Sequence, residues 1–199
     1  MTTGSDDSTA IVVGSAIIGA MDQEFHDAPD RVLAIVGAAY LDSLLEQLFR
    51  AIFISDKGPN AKKAVDDILD THGILGSNGA RYQLAYCLGL INEKERDDLK
   101  MIAKIRNSFA HKYDVRSFDH DEPTKYIAKL NVGKDLDAVV EDLAARTSDP
   151  EQKQRYREIG ASGRRKFQDT VRTLFGALLR KLNTVARPSE KTWFPGQKL

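Results

Sequence analysis

Apolar positions recur at helical spacing along almost the whole chain, and no stretch alternates as a half-buried strand does. The strongest pattern covers residues 30–54. Val32, Ile35, Val36, Ala39, Leu44, Leu45, Leu48, Phe49 and Ile52 fall nearly all round that helix, which predicts a central, buried element. Pro29 suits its first turn, and Lys57-Gly58-Pro59 stops it. A shorter helix is predicted over 60–70, ending at His72-Gly73, with a turn at Gly76-Ser77-Asn78-Gly79. Another follows over 80–90, with Leu84, Ala85 and Leu88 facing inward and Gly89 near its end.

Asn92 followed by Glu95 reads as a reciprocal helix cap. The helix it opens runs to residue 112 and buries Leu99, Ile102, Ile105 and Phe109. Residues 113–123 are polar and irregular, and short helices are expected over 124–131 and 134–146. Ser148-Asp149-Pro150-Glu151 then caps a long final helix to residue 185, kinked where Gly160 and Gly163 weaken it. The expected architecture is all-α: one helical bundle domain over 29–187, an N-terminal segment 1–28 with an apolar helix, and a tail 188–199.

Charge narrows the partners. Lys+Arg and Asp+Glu each number 29 in 199 residues, so the chain does not coat nucleic acid by bulk charge, though a local basic cleft stays open. Arg164-Arg165-Lys166 and Arg180-Lys181 are short, interleaved with acids, and read as solvated helix faces. No helix-turn-helix or basic recognition helix stands out, so direct sequence-specific DNA binding is not expected. The single cysteine excludes an internal disulfide and points to a reducing cytoplasm; Cys87, between Tyr86 and Leu88, reads as a small buried hydrophobe. The apolar run Ala10–Ala20 is shorter than the ~18 residues a membrane span needs. It follows Asp6 and Asp7 rather than basic residues, so a helix packed on the body or a partner is expected, with no membrane role.

His26, His72 and His120 are scattered without ligand spacing, and no metal or cofactor is expected. Asp119, Asp121 and Glu122 read as a solvated loop. Gly73, Gly76 and Gly79 lack a preceding strand and a phosphate-binding lysine, and Ser77 and Ser108 lack a triad.

The chemistry concentrates in Ile105-Arg106-Asn107-Ser108-Phe109-Ala110-His111, late in the capped helix. An arginine offers a planar fork of donors to phosphate, and a histidine titrates near neutrality and can move a proton. Asn107 and His111 lie four apart, so the amide can orient the imidazole, with Arg106 one step round. Such a set suits metal-independent handling of a phosphodiester. It equally suits a structural cluster, with His111 meeting the carbonyl end of its helix and Arg106 bridged to an acid. Asp42 and Glu46, four apart on the central helix, are the candidate supporting partners of Arg106 or His111.

Residues 80–91, Ala-Arg-Tyr-Gln-Leu-Ala-Tyr-Cys-Leu-Gly-Leu-Ile, together with 105–111, resemble the mannitol operon repressor (MtlR) family. Asp30-Arg31, Ala38-Ala39, Leu41-Asp42, Leu44-Leu45 and Glu46 look like that family's opening helix, and Phe118 and Lys129-Leu130 also fit. The resemblance covers 29–131 and implies an all-helical cytoplasmic regulator without a recognisable DNA-binding motif, acting through a protein partner. Arg-Asn-x-x-x-His also resembles the signature of HEPN domains, helical bundles that include metal-independent ribonucleases. That second resemblance implies catalysis by Arg106, Asn107 and His111 on RNA. One set per chain then implies a composite site in a homodimer.

Overall fold

A computed structural model of the chain describes residues 18–53 and 59–185. Every regular element among them is a helix. They are α1 (residues 18–26), α2 (Asp30–Ile52), α3 (Pro59–Leu69), α4 (Asn78–Cys87), α5 (Glu93–His111), α6 (Asp121–Ile127), α7 (Asn131–Arg146), α8 (Pro150–Ala161) and α9 (Gly163–Thr184). Most of the expected apolar run Ala10–Ala20, and the tail 188–199, lie outside the described residues.

The local punctuation explains most boundaries. Asn92 and Glu95 exchange hydrogen bonds at the start of α5, at 3.0 and 2.7 Å. Asp149 caps α8, with Pro150 in its first turn. Gly89, at φ 69°, adopts the left-handed conformation after α4, and the N–H groups of Gly89 and Leu90 close onto the carbonyls of Tyr86 and Ala85. Two expectations are corrected. The final helix is broken rather than kinked, because Ser162 ends α8 and its side chain caps the backbone N–H of Arg165 in α9. Residues 113–123 are not irregular to the end, because His120 Nδ1 accepts from Glu122 N–H and starts α6 two residues before Pro123.

The core lies where α2, α5 and α9 meet. Leu33, Leu41, Leu45 and Leu48 of α2, Leu99, Ile105 and Phe109 of α5, and Phe167 and Val171 of α9 are all essentially inaccessible. Phe118, from the connection after α5, sits 4.9 Å by ring centroid from both Phe109 and Phe167 and ties the layers together. Gly37 lets α2 approach α9, since a Cβ there would meet Phe167 at 3.3 Å and Val171 at 3.4 Å. α1 adds Met21 and Phe25 to the core, with Asp22 accepting from Arg172 of α9 at 2.6 Å.

Polar ties link distant segments. Arg164 of α9 pairs with Asp30 and donates to the carbonyl of Phe25, while Asp30 also accepts from Phe118 N–H at 3.0 Å. Lys166 pairs with Asp137 of α7 at 2.8 Å. The 164–166 cluster is therefore not simply a solvated face: two of its three cations hold elements together. α2 is long and apolar enough to cross a membrane, with a mean hydropathy of 1.5, and half of that stretch is buried among its neighbours in the manner of a core helix.

Candidate functional site

The orientation of α5 decides where its motif can act. Ile102, Ile105 and Phe109 face the core, and Ser108 Oγ donates back to the carbonyl of Lys104 at 3.0 Å. Arg106 is consequently half-buried, whereas Asn107 and His111 face solvent. His111 is the last residue of the helix, where a basic side chain meets the carbonyl end of the helix dipole. Among the described residues, none of the three makes a side-chain hydrogen bond or ion pair. The i,i+4 spacing holds, but no hydrogen bond joins Asn107 to His111.

Beside Arg106 lies a polar cluster built from α2 and α4. Asp42 accepts from Asn78 Nδ2 at 2.7 Å and from the Tyr82 hydroxyl at 2.9 Å. Burial pushes the Asp42 carboxyl above the usual carboxylate range, and those hydrogen bonds and the charges of Arg106 and Arg81 pull it partly back. Burial first, and then the charge of Asp42, push the buried Tyr82 phenol far above its ordinary value, with Arg106 again opposing. Arg106 thus acts on Asp42 and Tyr82 through its field rather than through a contact.

Glu46 accepts from Arg50 at 3.0 Å and from Arg81 at 3.4 Å. Among the described residues no hydrogen bond or ion pair joins Asp42 or Glu46 to Arg106 or His111, and of the expected partnerships only the charge of Arg106 acting on Asp42 is seen. Asn78 and Tyr82 of α4 bond the two oxygens of Asp42, while Arg81 of α4 and Arg50 of α2 itself bond those of Glu46. Asn78, Arg81 and Tyr82 escaped the sequence reading. The one signal was a tyrosine at a core-facing position of α4, whose hydroxyl needs a partner when buried. Arg81 also fixes the preceding turn, donating to the carbonyls of Leu75 and Leu69 at 2.6 Å each. The cluster can hold a charge against the core and place Arg106 beside a carboxylate.

Three other placements differ from expectation. Cys87 is exposed, not buried, because it falls on the outer side of the last turn of α4. Leu88 is 48% exposed rather than inward. On α2, Val32 (45%), Ile35 (39%) and Ala39 are exposed, so this helix is apolar all round without being covered all round. Among the described residues no group of three or more His, Cys, Asp or Glu side chains is placed to hold a metal.

Among the described residues, the class these observations define is an all-helical bundle with an outward-facing polar motif on one core helix and, on another, an apolar face that no described element covers. The chain belongs to the mannitol repressor family: the family's sequence model, described as MtlR, mannitol repressor, matches residues 26–180. Mannitol operon repressors from Escherichia coli K12 and from Escherichia coli O6:H1 strain CFT073 are each 36% identical to it over 61 residues, which is 31% of this chain. The matched stretch spans 31% of the length of those curated relatives. A chain of the X-ray structure of the MtlR-HPr complex from Escherichia coli shares the fold, with a TM-score of 0.57 at 22% identity. That match covers 84% of this chain and 99% of the other.

Proposed function

We propose that this member of the family is a cytoplasmic regulator that works through protein contacts and not by reading DNA bases itself. The observation that carries this is the outer face of α2. Val32, Ile35 and Ala39 form an apolar stripe on the most apolar helix of the bundle, and no described element covers it. Burying such a stripe is favourable at about 25 cal/mol per Å², and symmetric self-association is the common way to do so. We assign the stripe to a second copy of the chain. The cations nearest to forming a basic run point the same way: Arg164, Arg165 and Lys166 are each paired with an acid.

A relative in this family has been crystallised with HPr, and HPr is the first partner to test here. The experiment titrates HPr into the purified chain by calorimetry. Alongside it, a mobility shift measures binding to duplex DNA from upstream of the chain's own gene. The reading expects heat with HPr and no discrete DNA shift by the chain alone. A sequence-specific shift by the chain alone, surviving physiological salt, overturns it.

A second reading is kept because Asn107 and His111 face outward. Ile35 lies seven residues before Asp42 on one flank of α2, and Arg106 acts on Asp42 from α5. A dimer formed on the α2 stripe would therefore bring two motif sets toward one seam. That arrangement is what a HEPN-type ribonuclease using Arg106, Asn107 and His111 requires. RNA incubated in EDTA with wild type, Arg106→Ala and His111→Ala tests it: cleavage lost in both folded variants supports the nuclease, and no cleavage by wild type removes it.

A further inference from the structure

Directly beyond His111 the chain leaves α5 and passes an open groove of about 430 Å³ lined by Pro29, Arg31, Tyr113 and Arg116. Its volume lies within the ~300–1,000 Å³ range of small-ligand sites. We infer that this groove binds one nucleotide unit of single-stranded RNA, with Tyr113 stacking on the base and Arg31 and Arg116 taking the phosphate. This rests on the second reading above for its ligand class, but not on cleavage.

Three features argue for that ligand. Tyr113 is 87% exposed, so its ring contributes almost nothing to the core and presents a face to solvent. Stacking on such a ring tolerates any base. Arg31 is fixed by its own hydrogen bonds: Nη2 donates to the carbonyls of Lys112, Tyr113 and Val115 at 3.0, 3.3 and 2.9 Å. Among the described residues these bonds use Nη2 alone and leave the donors of Nε and Nη1 to offer to an anion. Arg116 is exposed and makes no ion pair among the described residues.

Asp30 is held by Arg164 and Phe118 N–H, and Glu122 pairs with Lys112 at 3.1 Å. Asp27 and Asp114 are exposed, and among the described residues neither they nor any other carboxylate lines the groove. An acidic protein segment would use the arginines but has no need of the free aromatic face, which is why a nucleotide is preferred. A phosphate seated there would lead its strand across the exposed His111.

The test is fluorescence anisotropy of the full chain with a labelled single-stranded RNA of about ten nucleotides, in EDTA and at low salt. Wild type is compared with Arg116→Ala, Tyr113→Ala and Tyr113→Phe. Both groove positions are exposed, so folding is expected to survive, and circular dichroism confirms it. Arg116→Ala and Tyr113→Ala should each weaken binding about tenfold, while Tyr113→Phe stays within about twofold. Competition by free adenosine monophosphate shows whether one nucleotide suffices or a strand is needed. No RNA binding by wild type, or wild-type binding by both alanine variants, overturns the assignment. Loss of an acidic protein partner in the alanine variants, with RNA binding unchanged, overturns it too. Groove-dependent binding without cleavage keeps the groove and removes the nuclease; cleavage unaffected by the groove substitutions does the reverse.

Discussion

Asp98 holds α7 onto the motif helix, and its removal gives a worked prediction. Leu130 occupies the capping position before α7 and has no side chain able to cap it. Asp98 supplies that cap from α5, 1% exposed, accepting from the backbone N–H groups of Asn131 at 2.6 Å and Val132 at 3.3 Å. It also accepts from Asn131 Nδ2 at 3.0 Å. Asp98→Ala leaves two backbone donors without a protein partner in a part-buried setting. A buried unsatisfied donor costs about 1–3 kcal/mol, and a lost cap typically costs about 1 kcal/mol. Water entering the vacated space offsets part, so the expected loss is about 2–4 kcal/mol. Against a total stability of ~5–15 kcal/mol this is large. It corresponds to a fall in Tm of roughly 5–15 °C for a chain of this size. Urea unfolding followed by far-ultraviolet circular dichroism measures the loss. Hydrogen exchange at Asn131 and Val132 localises it. A change below about 0.5 kcal/mol, with unaltered protection at those two amides, would refute the reasoning.

Phe118→Ala should cost about 3–5 kcal/mol by calorimetry, because Phe118 is buried between Phe109 and Phe167 and its loss opens a cavity in the core. Gly37→Leu should cost at least about 1–3 kcal/mol in urea unfolding, since even a Cβ there is already at 3.3 Å from Phe167. The Asp42 carboxyl is raised by burial, so its contribution to stability is present below its unfolded value of 3.8 and lost as pH rises through its folded value. The stability of wild type relative to Asp42→Asn should therefore shrink as pH rises from below 3.8 toward neutrality; a difference that grows with pH contradicts the assigned environment.

Helix punctuation was legible because it is local. Asn92 with Glu95, Asp149 with Pro150, and Gly89 each satisfy or release backbone groups within a few residues of themselves. Periodicity located α2 and α5 for the same reason. What it could not supply was the identity of the covering surface. Val32 and Ile35 have the same pattern as Leu33 and Leu45, and only the placement of α5 and α9 leaves one set outside. Long-range pairing was equally out of reach: Arg164 reaches Asp30 across 134 positions of sequence, so its cluster read as a solvated run. In the candidate site the motif and Asp42 stood out by residue type and spacing. Tyr82 and Asn78 did not, because a single polar residue on a short helix carries no periodic signal. Cys87 was misread because its neighbours Tyr86 and Leu88 are apolar yet themselves exposed.

We propose that the face of α2 that no described element covers is a surface for a second copy of this chain. Sedimentation equilibrium on wild type and Ile35→Glu tests it most directly, with circular dichroism to confirm that both are folded. The account predicts a dimer for wild type and a folded monomer for Ile35→Glu. A wild type that stays monomeric at micromolar concentration, or an Ile35→Glu chain that still dimerises, contradicts it.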